Sequence, residues 1–230
     1  MNRTHNAEDA LRYARQIALP DWGEDGQAKL AAARVMVVGL GGLGSPVVSY
    51  LAGAGIGLLT LNDFDQVDLS NLPRQPLHGM GALGESKTQS AARYIEARNP
   101  GVRTVQVDRR LSIEELCEHV AQHDVVVDAS DNFRTRFDVN TACVRGAVPL
   151  VSIAAIRHEG QLAVFDARVT EAPCYACLYQ RDDETGEDCV GQGVMTPLVG
   201  VMGSLGAIEA IKLLLGQGIT SPDTTLHCFD

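Results

Sequence analysis

The chain has 230 residues, of which 45% are apolar and 21% charged. This balance excludes a disordered protein and provides enough apolar surface for one folded domain. The formal net charge of −10 argues against a nucleic-acid-binding protein, because such proteins neutralise phosphates with lysine and arginine. We therefore expect any phosphate ligand to be small and held by a few local cations.

The N-terminal segment has neither the apolar core nor the cleavage pattern of a signal peptide, which predicts a cytoplasmic protein. Six cysteines are too few for a disulfide scaffold, so we expect metal ligands, core residues or nucleophiles. Two long stretches, 35–62 and 189–208, carry no charge. Both are rich in glycine, and the second contains Pro197, so we expect buried core elements and no membrane spans.

Strands and helices are predicted to alternate along most of the chain. The predicted order is a strand at 35–38, a helix at 43–54, a strand at 58–63, a helix at 85–99, a strand at 102–107, a helix at 112–123, a strand at 124–130, a helix at 136–147 and a strand at 148–155. Ser112 and Glu115 form a capping box at the start of the third helix. This alternation predicts an α/β fold, a Rossmann-like and mostly parallel sheet flanked by helices.

The pattern changes after residue 155. A strand at 160–169 lies outside the parallel repeat and predicts an antiparallel extension, followed by a cysteine-containing crossover loop to about Gly193. A last apolar helix at 198–215 ends at Gly216. We interpret the chain as one domain, 1–230, with N-terminal helices at 1–33, a nucleotide-binding core at 34–155 and a Cys-loop and closing-helix region at 156–230.

A glycine-rich turn follows the first predicted strand. Gly39, Gly41 and Gly44 have the G-x-G-x-x-G spacing, between a strand and a helix, that lets the backbone approach a phosphate at a helix N-terminus. Asp63 ends the next strand, where an acid can accept hydrogen bonds from a ribose hydroxyl. This pattern predicts a nucleotide site but does not distinguish NAD, FAD or ATP.

Three further polar features favour a triphosphate. Arg74 lies in a polar loop with Asn71 and would be surplus in a hydride-transfer site. Lys87 lies in the first turn of a predicted helix, where a cation opposes the helix dipole unless an anion binds there. Asp131 follows a buried strand and could bind Mg²⁺ that also contacts phosphates, whereas we expect Asp128 to be structural.

The ordered motifs resemble one known family. It is the MoeB/ThiF family, the bacterial relatives of ubiquitin-activating enzymes, and the similar segments are RYARQI, GLGGLGS, DFDQVDLSNLPRQ, GESK, DASDN, CYAC and GVMTPLVGVMGSLGAIEAIKLL. The resemblance covers essentially the whole chain. It implies an adenylyltransferase that uses ATP to adenylate the C-terminal glycine of a small ubiquitin-like sulfur-carrier protein ending in Gly-Gly.

The resemblance also implies roles for individual residues. Gly42 and Asp63 would contact the adenosine, Asn71, Arg74 and Lys87 would hold the phosphates, and Asp131 would bind Mg²⁺, with Ser70 and Asn132 completing the site. Arg15 would reach across a homodimer interface to the partner's ATP. The family usually has Gln where this chain has Pro73, so the loop backbone is expected to differ slightly.

The cysteines divide into three groups. Cys174 and Cys177 have the spacing of half a zinc site, or of a redox pair. In the family a second C-x-x-C completes the zinc site, and this chain has none, so zinc is left open. Cys189 occupies the position of a family cysteine that can link to the carrier, but its acidic neighbours disfavour a reactive thiolate. Cys117 and Cys143 are expected in the core.

Two functions from other classes stay open at this point. An NAD(P)-dependent oxidoreductase is favoured only by the glycine turn and Asp63. A non-catalytic module that docks ubiquitin-like folds is disfavoured because Arg74, Lys87 and Asp131 are all present. The pathway is also open: the carrier could serve molybdopterin or thiamine biosynthesis, and sulfur would come from a separate donor protein. His78 and His158 lie in predicted loops without an evident partner.

Overall fold

The structure is a computed structural model and describes residues 7–179, 193–217 and 225–230. The strands are β1 (Arg34–Val38), β2 (Leu58–Asn62), β3 (Arg103–Val107), β4 (Val125–Asp128), β5 (Leu150–Ile156), β6 (Glu159–Phe165) and β7 (Leu226–Phe229). The helices are α1 (Ala7–Arg12), α2 (Ala14–Ile17), α3 (Gly23–Ala32), α4 (Gly44–Ala54), α5 (Lys87–Arg98), α6 (Ile113–Val120), α7 (Phe133–Gly146), α8 (Tyr175–Leu178) and α9 (Thr196–Leu215).

All seven strands form one sheet in the order β3-β2-β1-β4-β5-β6-β7. The strands β1 to β5 run parallel, β6 pairs antiparallel with β5, and β7 pairs antiparallel with β6. The predicted α/β fold with an antiparallel extension is therefore confirmed. Because β2 and β4 flank β1, the strand order reverses at the carboxyl end of β1, which is where open parallel sheets bind ligands.

The central strands are buried on both faces. In β1, Val35 and Val37 belong to the apolar core beneath α4, α5 and α9, whereas Met36 and Val38 belong to a second core beneath α6 and α7. Alternate side chains of a strand point to opposite faces, so a strand covered by helices on both sides is apolar throughout. This explains the nearly unbroken apolar runs in the sequence.

Glycines allow α9 to approach the core closely. A Cβ on Gly203 would lie 2.3 Å from the carbonyl oxygen of Leu43, and a Cβ on Gly206 would lie 3.0 Å from Ile153. Helix α9 is long and apolar enough to cross a membrane, but the core helices of soluble proteins can be equally long and apolar. In this fold, 44% of its most apolar 18-residue stretch is buried. Its outer face leaves Val201, Leu205 and Ile208 partly exposed, at helical spacing.

Most element boundaries differ from the sequence prediction by a few residues, and two of the larger differences have a clear physical cause. Helix α7 begins at Phe133, three residues before the predicted start, because Asn132 accepts a hydrogen bond from the Thr135 amide at 2.9 Å and caps the helix. Strand β6 ends at Phe165 and not at 169, because Asp166 turns the chain by accepting hydrogen bonds from the amide and the guanidinium of Arg168. The capping box of Ser112 and Glu115 is confirmed.

Candidate nucleotide site

The glycine turn lies between the carboxyl ends of three neighbouring strands. It follows β1, and the Gly39 amide donates to the Asn62 carbonyl at the end of β2. On the other side, the Ala129 amide after β4 donates to the Val38 carbonyl. Within the described chain, the amides of Gly41, Gly42 and Leu43 donate to no other group, and no side chain caps α4. These free amides at a helix N-terminus form an anion-binding surface.

The glycines of the turn serve different purposes. Gly39 has a φ of 88°, and a Cβ there would lie 2.7 Å from the Ala129 carbonyl oxygen. A Cβ on Gly44 would lie 1.9 Å from the Gly39 carbonyl oxygen, and one on Gly42 would press on Val199 at 3.0 Å. At Gly41 the nearest atom is Nε2 of Gln75 at 3.7 Å. The fold itself requires Gly39 and Gly44, whereas Gly41 leaves room for a ligand.

This difference gives a testable pair of variants. Gly44→Ala should prevent stable folding, because its Cβ collides with backbone that cannot move away. Gly41→Ala should fold normally but weaken ATP binding by about tenfold, since its methyl group takes the space through which a phosphate approaches the amides. Thermal unfolding and the ATP dissociation constant measure the two effects. A Gly41→Ala protein with unchanged ATP affinity would contradict this assignment.

Asp63 is the buried acid next to the turn. Its Oδ2 accepts a hydrogen bond from the Leu40 amide at 2.7 Å, and its Oδ1 accepts one from the Asp65 amide at 2.9 Å. Burial raises the pKa of Asp63, and the charge of Lys87 opposes this shift. The carboxylate therefore joins the glycine turn to the end of β2, where a ribose would lie.

Lys87 is not a solvated lysine. Its side chain is buried, with Nζ 2.8 Å from Oδ2 of Asp65 and 3.8 Å from Oδ2 of Asp63. Ser86 caps α5, so Lys87 lies in the first turn as predicted, although the helix begins two residues after the predicted start at 85. A buried ammonium between two carboxylates at a helix N-terminus is a fixed positive charge beside the glycine turn.

The polar loop is folded by its own hydrogen bonds. Asp68 and Asn71 form a capping box around the short 3₁₀ turn Leu69–Asn71, and the amide and hydroxyl of Ser70 both donate to Asp68. Nη1 of Arg74 donates to the Ser70 carbonyl at 2.8 Å. The loop thus presents Arg74 on a defined turn. No hydrogen bond or ion pair joins the side chains of Ser70, Asn71 or Arg74 to the glycine turn among the described residues.

Two buried side chains that the sequence did not identify connect the loop to the turn. Gln75 lies against Gly41, and its Oε1 is buried without a partner in the described chain. His78 is buried and bonds to the Leu40 carbonyl at 3.1 Å and to the Ser90 hydroxyl at 2.9 Å. The expectation that His78 has no partner was therefore wrong, whereas His158 is exposed. Neither contact has a local sequence signal, since the partners lie far apart in the chain.

Asp131 follows β4, beside the turn. It is exposed, and its Oδ1 accepts a hydrogen bond from the side-chain Nδ2 of Asn132 at 3.4 Å. The side-chain Oδ1 of Asn132 accepts from the Thr135 amide and caps α7. Asp128 is fully buried and accepts a hydrogen bond from the Ser130 amide, and burial raises its pKa. This placement agrees with the expectation that Asp128 is structural and leaves Asp131 available to a cation.

A cavity of about 650 Å³ begins beside Asp131 and extends over β5 and β6. Leu43 of the glycine turn also lines it, so the cavity adjoins the nucleotide site. Its polar lining includes the buried guanidinium of Arg136 and the hydroxyls of Ser130 and Ser152. The rest of the wall is mostly apolar and aromatic, and includes Phe133, Leu162, Phe165, Tyr175, Tyr179 and Leu226. A second substrate could reach the nucleotide through it.

Arg15 lies far from the glycine turn of its own chain. The neighbouring Gln16 donates to the Ala54 carbonyl at the last residue of α4, and Gln27 donates to the same carbonyl. The turn is at the opposite end of α4, whose 11 residues span roughly 16 Å. Arg15 is exposed, and its location excludes a contact with the nucleotide site of the same subunit.

The cysteines do not assemble a metal site in the described chain. The sulfurs of Cys174 and Cys177 lie 3.7 Å apart, and no group of three His, Cys, Asp or Glu side chains is gathered in residues 7–179, 193–217 and 225–230. Burial opposes ionisation of Cys174, but hydrogen bonds from Asn140 and Cys177 lower its thiol pKa overall. Cys143 is buried as expected, Cys117 is only partly buried, and Cys189 lies outside the described residues.

Sequence comparisons relate the chain to known proteins. The sequence profile of the ThiF family matches residues 13–230. The chain is 48% identical over 211 residues to the molybdopterin-synthase adenylyltransferase of Escherichia coli (strain K12), an alignment that covers 92% of this chain and 84% of that protein. It is 44% identical over 225 residues to the sulfur carrier protein ThiS adenylyltransferase of the same organism, with 98% and 88% covered.

The fold also matches solved structures. The crystal structure of E. coli MccB with ATP superimposes with a TM-score of 0.78 and 25% sequence identity, over 94% of this chain and 70% of that chain. The family profile spans most of the sequence, and the two relatives are more than 40% identical to it over nine-tenths of its length. Both findings assign the chain to the same family. The chain belongs to the ThiF family.

Proposed function

We propose that this protein is an adenylyltransferase that uses ATP to activate the C-terminal glycine of a small ubiquitin-like sulfur-carrier protein ending in Gly-Gly. The observation that carries this proposal is the surface of free amides at the glycine turn, flanked by the buried cation Lys87 on one side and by Asp131 on the other. The names of two relatives, a molybdopterin-synthase adenylyltransferase and a sulfur carrier protein ThiS adenylyltransferase, support adenylation of a sulfur-carrier protein. We propose molybdopterin or thiamine biosynthesis as the pathway.

The reaction would proceed by direct displacement. The terminal carboxylate of the carrier forms a bond to the α-phosphorus of ATP, and the bond from that phosphorus to the bridging oxygen breaks and releases pyrophosphate. A carboxylate is already ionised at neutral pH, so no general base is needed. Catalysis then rests on in-line positioning and on neutralisation of the leaving pyrophosphate. Lys87 and Arg74 are the cations of this chain that would neutralise it.

The residues at the carboxyl end of β4 fit a Mg²⁺ site. Mg²⁺ usually takes one or two protein carboxylates together with phosphate oxygens and water. Asp131 offers an exposed carboxylate beside the glycine turn and would hold the ion. When bound, Mg²⁺ would neutralise charge on the phosphates.

A structural zinc ion does not fit the described residues alone. Such a site needs four ligands, and Cys174 and Cys177 supply two. We therefore assign zinc no part in the reaction. Cys189 as a covalent acceptor of the carrier stays a hypothesis, as does a separate sulfur-donor protein.

The carrier would approach through the cavity over β5 and β6. The cavity shares Leu43 and Asp131 with the nucleotide site, so a peptide lying in it would bring its end next to the phosphates. A tail ending in Gly-Gly suits this junction, because glycines have no side chains to pass between the two sites. This proposal assigns carrier binding to the region 156–230, which supplies much of the cavity wall.

We further propose a cytoplasmic homodimer. Arg15 cannot reach the nucleotide site of its own subunit, so a role for it requires a partner. The stripe of Val201, Leu205 and Ile208 on α9, together with the 58% exposed Tyr50 on the adjacent α4, offers an apolar surface for a second copy. The N-terminal helices of region 1–33 would lie in or beside that interface.

ATP–pyrophosphate exchange tests the proposed function. The protein is incubated with ATP, Mg²⁺ and labelled pyrophosphate, together with purified carrier proteins ending in Gly-Gly. Label should enter ATP only with a carrier, and a carrier that lacks its last glycine is the control. A different result would favour an oxidoreductase: the protein binds NAD(P)H, as measured by nicotinamide fluorescence, and no carrier supports exchange.

A further inference from the structure

His78 joins three segments of the nucleotide site. It lies in the polar loop that carries Arg74, it bonds to Leu40 in the glycine turn, and it bonds to Ser90 on α5, the helix that begins with Lys87. Its side chain is buried, with 6% exposed. The reaction proposed above gives His78 no chemical step, so its two hydrogen bonds need another explanation.

The partners of His78 define its protonation state. A carbonyl oxygen can only accept a hydrogen bond, so Nε2 carries the proton and donates to Leu40. Nδ1 then accepts from the Ser90 hydroxyl. Burial lowers the pKa of His78, the bond to Leu40 opposes this shift, and the nearby charge of Lys87 lowers the pKa further. The ring is therefore the neutral tautomer with the proton on Nε2.

The bond to Leu40 fixes a specific peptide plane. The Leu40 carbonyl and the Gly41 amide belong to one planar trans peptide and point in opposite directions. His78 holds the carbonyl toward the interior, so the Gly41 N–H must point away from it, and this N–H has no acceptor in the described chain. The amide of Leu40 is itself held by Asp63 at 2.7 Å. Hydrogen bonds therefore hold both the amide and the carbonyl of Leu40.

We propose that His78 is a positioning residue that aims the Gly41 amide at a phosphate of the bound nucleotide. The inference rests on the proposed ATP site. A preorganised amide binds an anion without first paying for reorientation of a glycine-rich turn, whose backbone would otherwise be unusually free. Loss of the Leu40 bond should therefore weaken nucleotide binding specifically.

Two substitutions of His78 separate positioning from packing. The amide nitrogen of His78→Gln can reach the position of Nε2 and donate to Leu40, whereas the shorter side chain of His78→Asn reaches only the position of Nδ1. Ser90→Ala is the matched control, because it removes the partner of Nδ1 and leaves the Leu40 bond intact. We expect His78→Asn to raise the ATP dissociation constant about tenfold, and the other two variants to stay within about threefold of wild type.

The measurements are the ATP dissociation constant, by displacement of a fluorescent ATP analogue without carrier, and the KM for carrier, which should not change. Thermal unfolding of all three variants reports the loss of packing. Equal weakening by His78→Asn and His78→Gln, or equal weakening by Ser90→Ala, would overturn the proposal and make His78 a packing residue. Because binding is measured without carrier, failure of wild-type exchange would count against the proposed function and not against His78.

Discussion

Replacing Arg74 with alanine is expected to lower the rate of ATP–pyrophosphate exchange by at least about a hundredfold, the loss typical when one preorganised charge-stabilising group is removed. The polar loop that carries Arg74 lies beside the proposed nucleotide site, and pyrophosphate is the leaving group of the proposed reaction. A guanidinium group binds pyrophosphate well because its planar N–H groups can donate to two oxygens at once. In the free protein only Nη1 has a partner in the described chain, the Ser70 carbonyl, so other donors are available.

The fold should tolerate this change. Arg74 is half-buried on a turn that Asp68 and Asn71 stabilise independently, and it loses a single hydrogen bond to its own loop. We expect thermal unfolding to stay close to that of wild type. Arg93→Ala is the matched control: Arg93 is exposed, and its guanidinium donates two hydrogen bonds to Glu85, at 3.1 and 2.7 Å. Its exchange rate should equal that of wild type.

Arg74→Lys separates charge from geometry. Lysine keeps the positive charge but not the fork, so the variant should recover part of the rate. An Arg74→Ala protein with wild-type turnover would show that the loop does not contact the leaving group. The glycine turn would still bind nucleotide in that case, because the positions of Lys87 and of the turn amides do not depend on Arg74.

The sequence predicted those features whose signals are local. The alternation of β-branched runs and amphipathic helices specified the parallel sheet, and the spacing of Gly39, Gly41 and Gly44 located the turn. Ser112 and Glu115 marked a helix start by chemistry confined to four residues. The same kind of signal was present at Asn132, which caps α7, but the earlier residues of that helix carry little apolar periodicity to support it.

Features that depend on contacts between distant segments could not be predicted. His78 contacts Leu40, 38 residues away, and nothing in its local sequence indicates burial. The glycine spacing also does not show that the glycines have different roles: Gly44 is in close contact with Gly39, whereas a Cβ on Gly41 would meet only Gln75, at 3.7 Å. Only the packing around each Cβ position distinguishes them. The burial of Lys87 likewise depends on Asp65, which the chain brings back from the loop after β2.

The second prediction with a large expected effect concerns Arg15, which lies far from the nucleotide site of its own subunit. If Arg15 completes the site of the partner subunit, Arg15→Ala and Asp131→Asn homodimers should each lose at least about a hundredfold in exchange rate. A mixture of the two after subunit exchange contains heterodimers. In each heterodimer one site carries both lesions and the other carries neither, because Arg15 comes from one subunit and Asp131 from the other.

Equal mixing should therefore restore about a quarter of the wild-type rate, since about half of the dimers are mixed and half of their sites are intact. The control is a mixture of Arg74→Ala with Asp131→Asn. Both residues serve the site of their own subunit, so every site in those heterodimers keeps one lesion and the rate should stay low. Light scattering must show dimers that exchange subunits. No recovery in the Arg15 mixture would place Arg15 outside the partner's site and remove the functional reason for dimerisation. Recovery in the control mixture would instead show that Arg74 and Asp131 do not serve the same site.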